Sequence, residues 1–250
     1  MSLANLRFYA QLNDFLPIAS RQTMIACSLN GPVSAKHLIE ALGVPHTEVA
    51  LILANSKSVG FGYLVQENDR LSIYPAFANI NVSEVLTLRP PPPKPARFIL
   101  DNHLGQLSTY LRLLGFDTLY RNDYDDRELA QVSHDDERIL LTRDVRLLMR
   151  KVIVHGYWLR SKDPRQQLSA VLRRFDVYGE INPWNRCLRC NGDLRPVPKK
   201  EVINRLEPKT KKYYDEFHIC SDCEQIYWKG SHYEPLQELV LSLGLESGRG

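Results

Sequence analysis

The stretch Arg97–Tyr120, RFILDNHLGQLSTYLRLLGFDTLY, decides how the rest of the chain is read. Phe98-Ile99-Leu100 is a short apolar run that suits a buried strand, and Asp101 ends it. Leu104, Leu107, Leu111 and Leu114 then recur at the spacing of one helix face, and Gly115 fits the position just past a helix C-terminus. Thr118–Tyr120 is strand-like again.

Downstream the alternation continues. Asp125 or Asp126 can cap a helix through Leu129 and Val132. Ile139–Thr142 predicts a strand, Val145–Met149 a short helix and Val152–Leu159 another strand. Asp163-Pro164-Arg165-Gln166 is a helix start with Asp at the cap, Pro in the first turn and Gln three residues on, and the helix should run to Arg174. Strands alternating with helices imply a mainly parallel sheet covered on both faces.

Upstream, Pro90-Pro91-Pro92-Pro93-Lys94-Pro95 favours a stiff extended spacer, which sets off an N-terminal domain. There Leu6–Ala10 and Met24–Leu29 predict strands. Ser34 predicts the cap of a helix bearing Leu38, Ile39 and Leu42 and stopped by Gly43 and Pro45. Val49–Ala54 and Leu71–Tyr74, the latter after the turn at Asn68-Asp69, predict two more strands. Strand, strand, helix, strand, strand is the order of a β-grasp. Glu67–Pro75 resembles the last strand of ubiquitin-like sulfur carriers of thiamine and molybdopterin synthesis. Those carriers end in Gly-Gly, whereas this chain runs on through Ala76-Phe77-Ala78. The domain therefore reads as a binding or positioning module rather than a sulfur carrier.

A hydrophobic share of 44% over 250 residues allows a sizeable core, and disorder is not expected. No apolar run approaches a membrane span, and the N-terminal residues lack a signal-peptide pattern. The expectation is a cytoplasmic protein with no membrane partner. The net charge of +3 hides a division. Residues 1–89 balance, with six basic and six acidic; 97–142 hold five basic and nine acidic; 143–174 hold nine basic and two acidic. An acidic block followed by a basic one suits a metal pocket beside a polyanion track, or two solvated faces of opposite sign.

In parallel α/β sheets ligands sit beyond the carboxyl ends of the strands. Asp101 follows the strand Phe98–Leu100, and Asp144 follows Ile139–Thr142 after one arginine. Asp125, Asp126 and Glu128 add carboxylates at a nearby helix start. Hard oxygen ligands of this kind suit Mg²⁺ or Mn²⁺, which can activate water and stabilise the leaving oxygen of a phosphodiester. Asp125 and Asp126 serve equally as helix caps, and a cap is the lesser alternative for Asp144. His103, Arg112, Arg143 and Arg146 are candidate substrate contacts, with ordinary structural or surface roles as the alternative.

Of the five cysteines, Cys27 lies in an apolar stretch and is expected to be a buried thiol. Cys187-Leu188-Arg189-Cys190 and Cys220-Ser221-Asp222-Cys223 predict two knuckles that close a tetrahedral Zn²⁺ site, with an iron–sulfur cluster as the lesser alternative. Four sulfurs leave no open position, so the site should be structural. Asn191 tolerates the left-handed backbone that knuckles require, while Glu224 stands where glycine would be easier. Lys199, Lys200, Lys209, Lys211 and Lys212, with Tyr213, Tyr214 and Phe217, are either an RNA track or a plain ribbon surface.

Taken with Leu104-Gly105, Leu111–Asp117, Arg138–Asp144, Arg186–Asn191 and Tyr227–His232, the Phe98–Asp101 motif resembles the Mut-7 C-terminal RNase family. That family is a PIN-like nuclease domain followed by a zinc ribbon, and its bacterial members often carry an N-terminal ubiquitin-like domain. The resemblance covers nearly the whole chain. It implies a β-grasp domain over 1–89, a linker over 90–96, a PIN-like domain over 97–182 and a ribbon over 183–240. It also implies metal-dependent RNA cleavage, with Asp101 and Asp144 at the family's acidic positions and a third acid within Asp125–Glu128. Gln106, Ser108 and Thr109 depart from the basic, alanine-containing helix start expected there.

Three functions follow as expectations. The first is a ribonuclease acting on single-stranded or tRNA-like RNA with Mg²⁺ or Mn²⁺. The second is a non-catalytic RNA- or ribosome-associated binding protein, and the third an adaptor whose ubiquitin-like domain binds a protein partner. Strand-end aspartates favour the first, because uncompensated carboxylates gain nothing in binding a polyanion.

Overall fold

The computed structural model describes residues 2–76, 88–230, 237, 238 and 240. Phe77 and Ala78 of the chain past the β-grasp, and Ser231 and His232 of the ribbon motif, lie outside the described residues. The chain divides into two compact units, residues 1–93 with 124–160, and residues 94–123 with 161–250.

The first unit opens with β1 (Ser2–Phe8) and β2 (Ile25–Leu29), then α1 (Ala35–Ala41), β3 (Val49–Ala54), β4 (Lys57–Ser58) and β5 (Arg70–Pro75). The sheet order is β2-β1-β5-β3-β4, with β1 parallel to β5 and the other pairs antiparallel. This is a β-grasp. Alternation puts Ala4, Leu6 and Phe8 of β1 and Leu71 and Ile73 of β5 on one face. They pack with Ile39 of α1 and Ile52 of β3 in one apolar core. Ser34 caps α1 by accepting from His37 N. Asp69 is buried and organises the preceding turn, accepting from Asn55, Tyr63 and Gln66. β1 ends two residues earlier than the sequence pattern predicts, because Ala10 takes φ +47° and starts a 3₁₀ turn. Cys27, expected as a buried thiol, is half-buried. It lies on β2, the edge of this sheet, where only part of a side chain finds cover.

In the second unit β6 (Arg97–Leu100) leads through a 3₁₀ turn to α2 (Gly105–Leu113) and β7 (Asp117–Tyr120), which lies parallel to β6. Gly115 has φ +93°, and a Cβ there would stand 2.2 Å from Asn182 O, so only glycine fits the turn. Back in the first unit, α3 (Asp126–Asp135) and β8 (Ile139–Thr142) precede α4 (Val145–Leu148) and β9 (Gly156–Trp158), with β9 parallel to β8. Parallel pairs joined through helices give the mainly parallel α/β character expected. The predicted strand over Val152–Leu159 shrinks to β9. Ile153 N bonds Arg150 O and continues the turn after α4, leaving Val152 and Val154 partly exposed.

The second unit resumes with α5 (Pro164–Phe175), whose Asp163 cap accepts from Gln166 N at 2.9 Å. Phe98 packs edge-on against Phe116 and Phe175. The C-terminal part follows as β10 (Leu194–Val197), α6 (Lys199–Val202), α7 (Pro208–Tyr213), β11 (Phe217–Cys220) and β12 (Ile226–Tyr227). β10, β11 and β12 form an antiparallel sheet over a small core of Val197, Val202, Leu206, Phe217, Ile219 and Ile226. Among the described residues no helix is long and apolar enough to cross a membrane.

Candidate functional site

Two arrangements carry chemistry. The first is the cysteine cluster. Cys187, Cys190, Cys220 and Cys223 bring their sulfurs within 4.8 Å of one another. Cys187 Sγ lies 3.6 Å from Cys223 Sγ, and Cys190 Sγ lies 3.4 Å from Cys220 Sγ. Sulfurs about 2.3 Å from a tetrahedral ion stand about 3.8 Å apart, so the set fits a metal such as zinc. Asn191 and Glu224, the residues after each pair, both have positive φ, +74° and +55°. Their amides close the knuckles onto Cys187 O and Cys220 O. A Cβ on Gly192 would lie 2.4 Å from an Asp222 carboxylate oxygen, which would have to swing away, and 3.0 Å from Cys220 Sγ, so glycine leaves room beside the sulfurs.

The thiols are set apart electrostatically. Burial pushes Cys187 up, but hydrogen bonds from the Tyr227 hydroxyl and from the Cys190 and Arg189 amides outweigh it and bring it down to about 7. Burial and the neighbouring sulfurs push Cys190 up to about 12. Such crowding favours one thiolate at a time until a cation neutralises the cluster.

The first knuckle is seated on the α/β part of its unit. Arg112, expected as a phosphate contact, is only 4% exposed. Its Nε donates to Thr118 O and its Nη1 to Leu188 O and Arg189 O inside the knuckle, so it serves the fold rather than a surface. Asn191 Oδ1 accepts from Thr118 N at 2.8 Å, and Asn191 Nδ2 donates to Asp117 at 2.7 Å. Phe217, expected on an RNA track or a plain ribbon surface, is instead buried in the ribbon core. Tyr213, Lys200, Lys209 and Lys212 are exposed, with Lys212 over the Tyr213 ring, while Lys199 pairs with Asp215.

The second arrangement is the pair of strand-end turns. Asp101 follows β6 and is 9% exposed, and its carboxylate accepts from Asn102 N at 2.6 Å. Asn102 Oδ1 is buried with no hydrogen-bond partner among the described residues, an unusual cost for a polar atom. Tyr120 Oη donates to Asn102 O at 2.8 Å and pins the turn. Sequence reasoning passed over Asn102; its place directly after a strand-end aspartate is the signal that could have found it. His103 is exposed. In the other unit Asp144 follows β8 and is exposed, its carboxylate accepting from Arg146 N at 2.7 Å as the cap of α4. Arg143 and Arg146 flank it and are exposed. Asp125 caps α3 by accepting from Glu128 N, which holds its carboxyl below the usual range. Asp126 faces Arg150 at 3.6 Å, and Glu128 sits in the first turn of α3.

Comparison with known proteins gives the family. No curated protein matches the chain. A solved structure titled "Crystal structure of H. volcanii small archaeal modifier protein 1" is similar at 14% identity over 31% of this chain and 100% of that chain, with a TM-score of 0.26. A family model described as Mut7-C ubiquitin matches residues 1–81. A second, described as the Mut7-C RNAse domain, matches residues 96–240. The chain therefore belongs to the Mut7-C RNase family and carries that family's ubiquitin-like domain on its N-terminal side.

Proposed function

We propose that this protein is a ribonuclease that cleaves single-stranded or tRNA-like RNA with Mg²⁺ or Mn²⁺ held by Asp101 and Asp144, on a scaffold stapled by Zn²⁺ at the four cysteines. The observation that carries it is the Asp101 turn. A nearly buried carboxylate ends a buried strand, beside an asparagine oxygen that is buried and without a hydrogen-bond partner among the described residues. Hard anionic and amide oxygens in such a place suit a hard divalent cation. When bound, that ion supplies positive charge at the scissile phosphate and makes a water nucleophilic near neutral pH.

The chain's own residues prepare this. Asn102 N orients one Asp101 oxygen, and Tyr120 holds Asn102 in turn. Arg146 N orients the Asp144 carboxylate. Arg143 and Arg146, exposed on either side of Asp144, are the proposed phosphate contacts. Asp125, Asp126 and Glu128 are the proposed source of a third acid. The exposed lysines and Tyr213 of the ribbon are proposed to follow the RNA backbone. Domain roles are proposed along the chain as 1–89, 90–96, 97–182 and 183–240, although residues 124–160 group compactly with the N-terminal sheet. Four reduced cysteines in ligand geometry suit a reducing compartment, and the cytoplasm is the proposed location.

Labelled single-stranded RNA incubated with the purified protein, with and without Mn²⁺, tests this beside Asp101→Asn and Asp144→Asn. Each substitution keeps shape and removes an anionic ligand. Cleavage should fall by about 10²–10³-fold, corresponding to a few kcal/mol of lost charge stabilisation. RNA affinity should hold or rise, and should weaken with salt. Undiminished cleavage in both variants would refute the assignment. Salt-sensitive binding with no cleavage by the intact protein would favour the non-catalytic RNA-binding reading.

A further inference from the structure

The first unit holds a chain of contacts that runs from the ubiquitin-like domain to the turn bearing Asp144. Glu48 lies in the 3₁₀ turn His46–Glu48 that leads into β3, and it is 1% exposed. A carboxylate so buried is costly unless it is used. Its Oε1 accepts from Trp158 N, the last residue of β9, at 2.7 Å. The same turn presents His46, whose Nε2 lies 2.9 Å from Ile153 O and whose Nδ1 lies 2.7 Å from Glu40.

The Trp158 side chain is gripped as well. Phe15 packs against its ring in a tilted arrangement with centroids 4.8 Å apart, and the Arg160 guanidinium lies over it at 4.8 Å. Arg160 is itself tied to the N-terminal domain, with Nε donating to Asp14 at 2.7 Å and Nη2 to Gln11 O at 3.1 Å. From this seat Trp158 Nε1 donates to Arg143 O at 3.3 Å.

That carbonyl belongs to the residue before Asp144, and the neighbouring backbone is fixed at each step. Leu159 N donates to Thr142 O at 2.9 Å, and Asp144 N donates to Thr142 Oγ1 at 2.9 Å. Thr142 is fully buried. The turn after β8 is therefore held through two residues of β9 and its end, one of which rests on Glu48.

We propose that the ubiquitin-like domain works inside the chain as a clamp on this turn: Glu48 and Phe15 set Trp158, and Trp158 sets the backbone that aims the Asp144 carboxylate. This gives the domain a function in the nuclease itself. Glu48 and Trp158 are positioning residues, and their effect on cleavage rests on the proposed role of Asp144. Simple docking of two surfaces would be served by apolar contacts alone. A buried carboxylate that accepts from the Trp158 backbone amide, next to an indole that reaches the turn bearing Asp144, is a directional arrangement. Partners one step behind a metal ligand typically change metal affinity or activity by about 10–100-fold when removed.

Two full-length variants test the clamp. Trp158→Phe keeps a ring against Phe15 and deletes the indole N–H. Glu48→Gln keeps shape and an acceptor but removes the charge, and it covers the case in which Trp158→Phe fails to fold. Three readouts are taken: amide hydrogen exchange over residues 139–149, the Mn²⁺ concentration for half-maximal RNA cleavage, and the thermal midpoint. Trp158→Phe should speed exchange at Asp144–Arg146 and raise the Mn²⁺ requirement by about tenfold or more, with kcat at saturating Mn²⁺ less affected. Glu48→Gln should move both readouts in the same direction by less. A lower midpoint with unchanged local exchange and unchanged Mn²⁺ requirement would show mere packing and overturn the clamp. If the intact protein cleaves no RNA, the ribonuclease reading falls, and exchange over 139–149 still decides the clamp by itself.

Discussion

The two cysteine knuckles share one local geometry and are held by different means. Each closes on an amide-to-carbonyl bond, and each puts a non-glycine residue in the left-handed region. The first is built into its surroundings. Asn191 is buried and bonds both Thr118 and Asp117, and Arg112 donates two bonds to the knuckle carbonyls. The second rests on the surface, where Glu224 is exposed and its carbonyl accepts from the exposed Arg205. The difference teaches that the first knuckle can hold its shape through buried side-chain hydrogen bonds, while the second, tied to the residue before β10 by Ser221 bonding Asp193 O, leans more on the sulfur cluster. Buried bonds of this type are costly to break, and exposed ones are weak.

Removing the metal should therefore separate the two most. Purified protein is expected to carry about one zinc per chain by elemental analysis, and Cys187→Ser or Cys223→Ser should abolish tight retention. Structural zinc contributes on the order of 10 kcal/mol to the fold that it closes. After chelation or in Cys223→Ser, hydrogen exchange should rise steeply across 217–227 and by a smaller factor across 186–191. The β-grasp core should keep its protection, because its cluster contains no ribbon residue. Equal loss of protection in both knuckles would break the comparison, and a protein that carries iron with visible absorption would replace zinc as the metal.

Arg112 gives the next largest effect. Arg112→Lys keeps a positive charge and loses the planar fork that reaches three carbonyls. Buried acceptors left short of donors should cost about 2–4 kcal/mol, read as a lower midpoint in denaturant. RNA affinity of the folded variant, and its slope against salt, should stay unchanged. A weaker affinity and a shallower salt slope at full stability would return Arg112 to the phosphate contacts that its sequence suggested.

That reversal marks where sequence reading stopped. Caps and turns were legible because their chemistry is local. Ser34, Asp125 and Asp163 each cap the helix that follows them, Gly115 takes the left-handed turn, and the two C-x-x-C pairs converge. Asn191 and Glu224 were legible in the same way, since a knuckle forces its own backbone. Arg112, Glu48 and Phe217 were not. An arginine on a helix, a glutamate before a strand and a phenylalanine behind a lysine run look like surface features until distant chain covers them. The Val152–Val154 run shows the opposite failure. Its strand propensity yields to a turn that closes on Arg150 O. The aspartates lie between these cases. Their place at strand ends was readable, whereas the orphaned Asn102 oxygen that strengthens the reading of Asp101 is a property of burial.

The smallest expected effect is the sharpest test of the two knuckles, because it asks for opposite signs at matched positions. Glycine occupies the left-handed region without the steric cost of about 1–2 kcal/mol that a side chain incurs there. It returns about 0.5–1 kcal/mol of that gain through the greater freedom of the unfolded chain. At Glu224 little else is lost, since the carboxylate only meets the exposed Arg205 at 3.5 Å and the carbonyl bond to Arg205 survives. Glu224→Gly should therefore stabilise the zinc-loaded protein by about 0.5 kcal/mol. At Asn191 the same backbone relief is outweighed. Asn191→Gly deletes the acceptor for Thr118 N and the donor to Asp117, and leaves a buried amide without its partner at a cost of about 1–3 kcal/mol. That variant should be less stable by about 1–2 kcal/mol, and its first knuckle should exchange faster on chelation. Thermal midpoints of the two variants against the parent, at fixed zinc and protein concentration, decide the matter. Shifts of the same sign would mean that the buried bonds of Asn191 add nothing beyond its backbone conformation, and that the two knuckles are held alike after all.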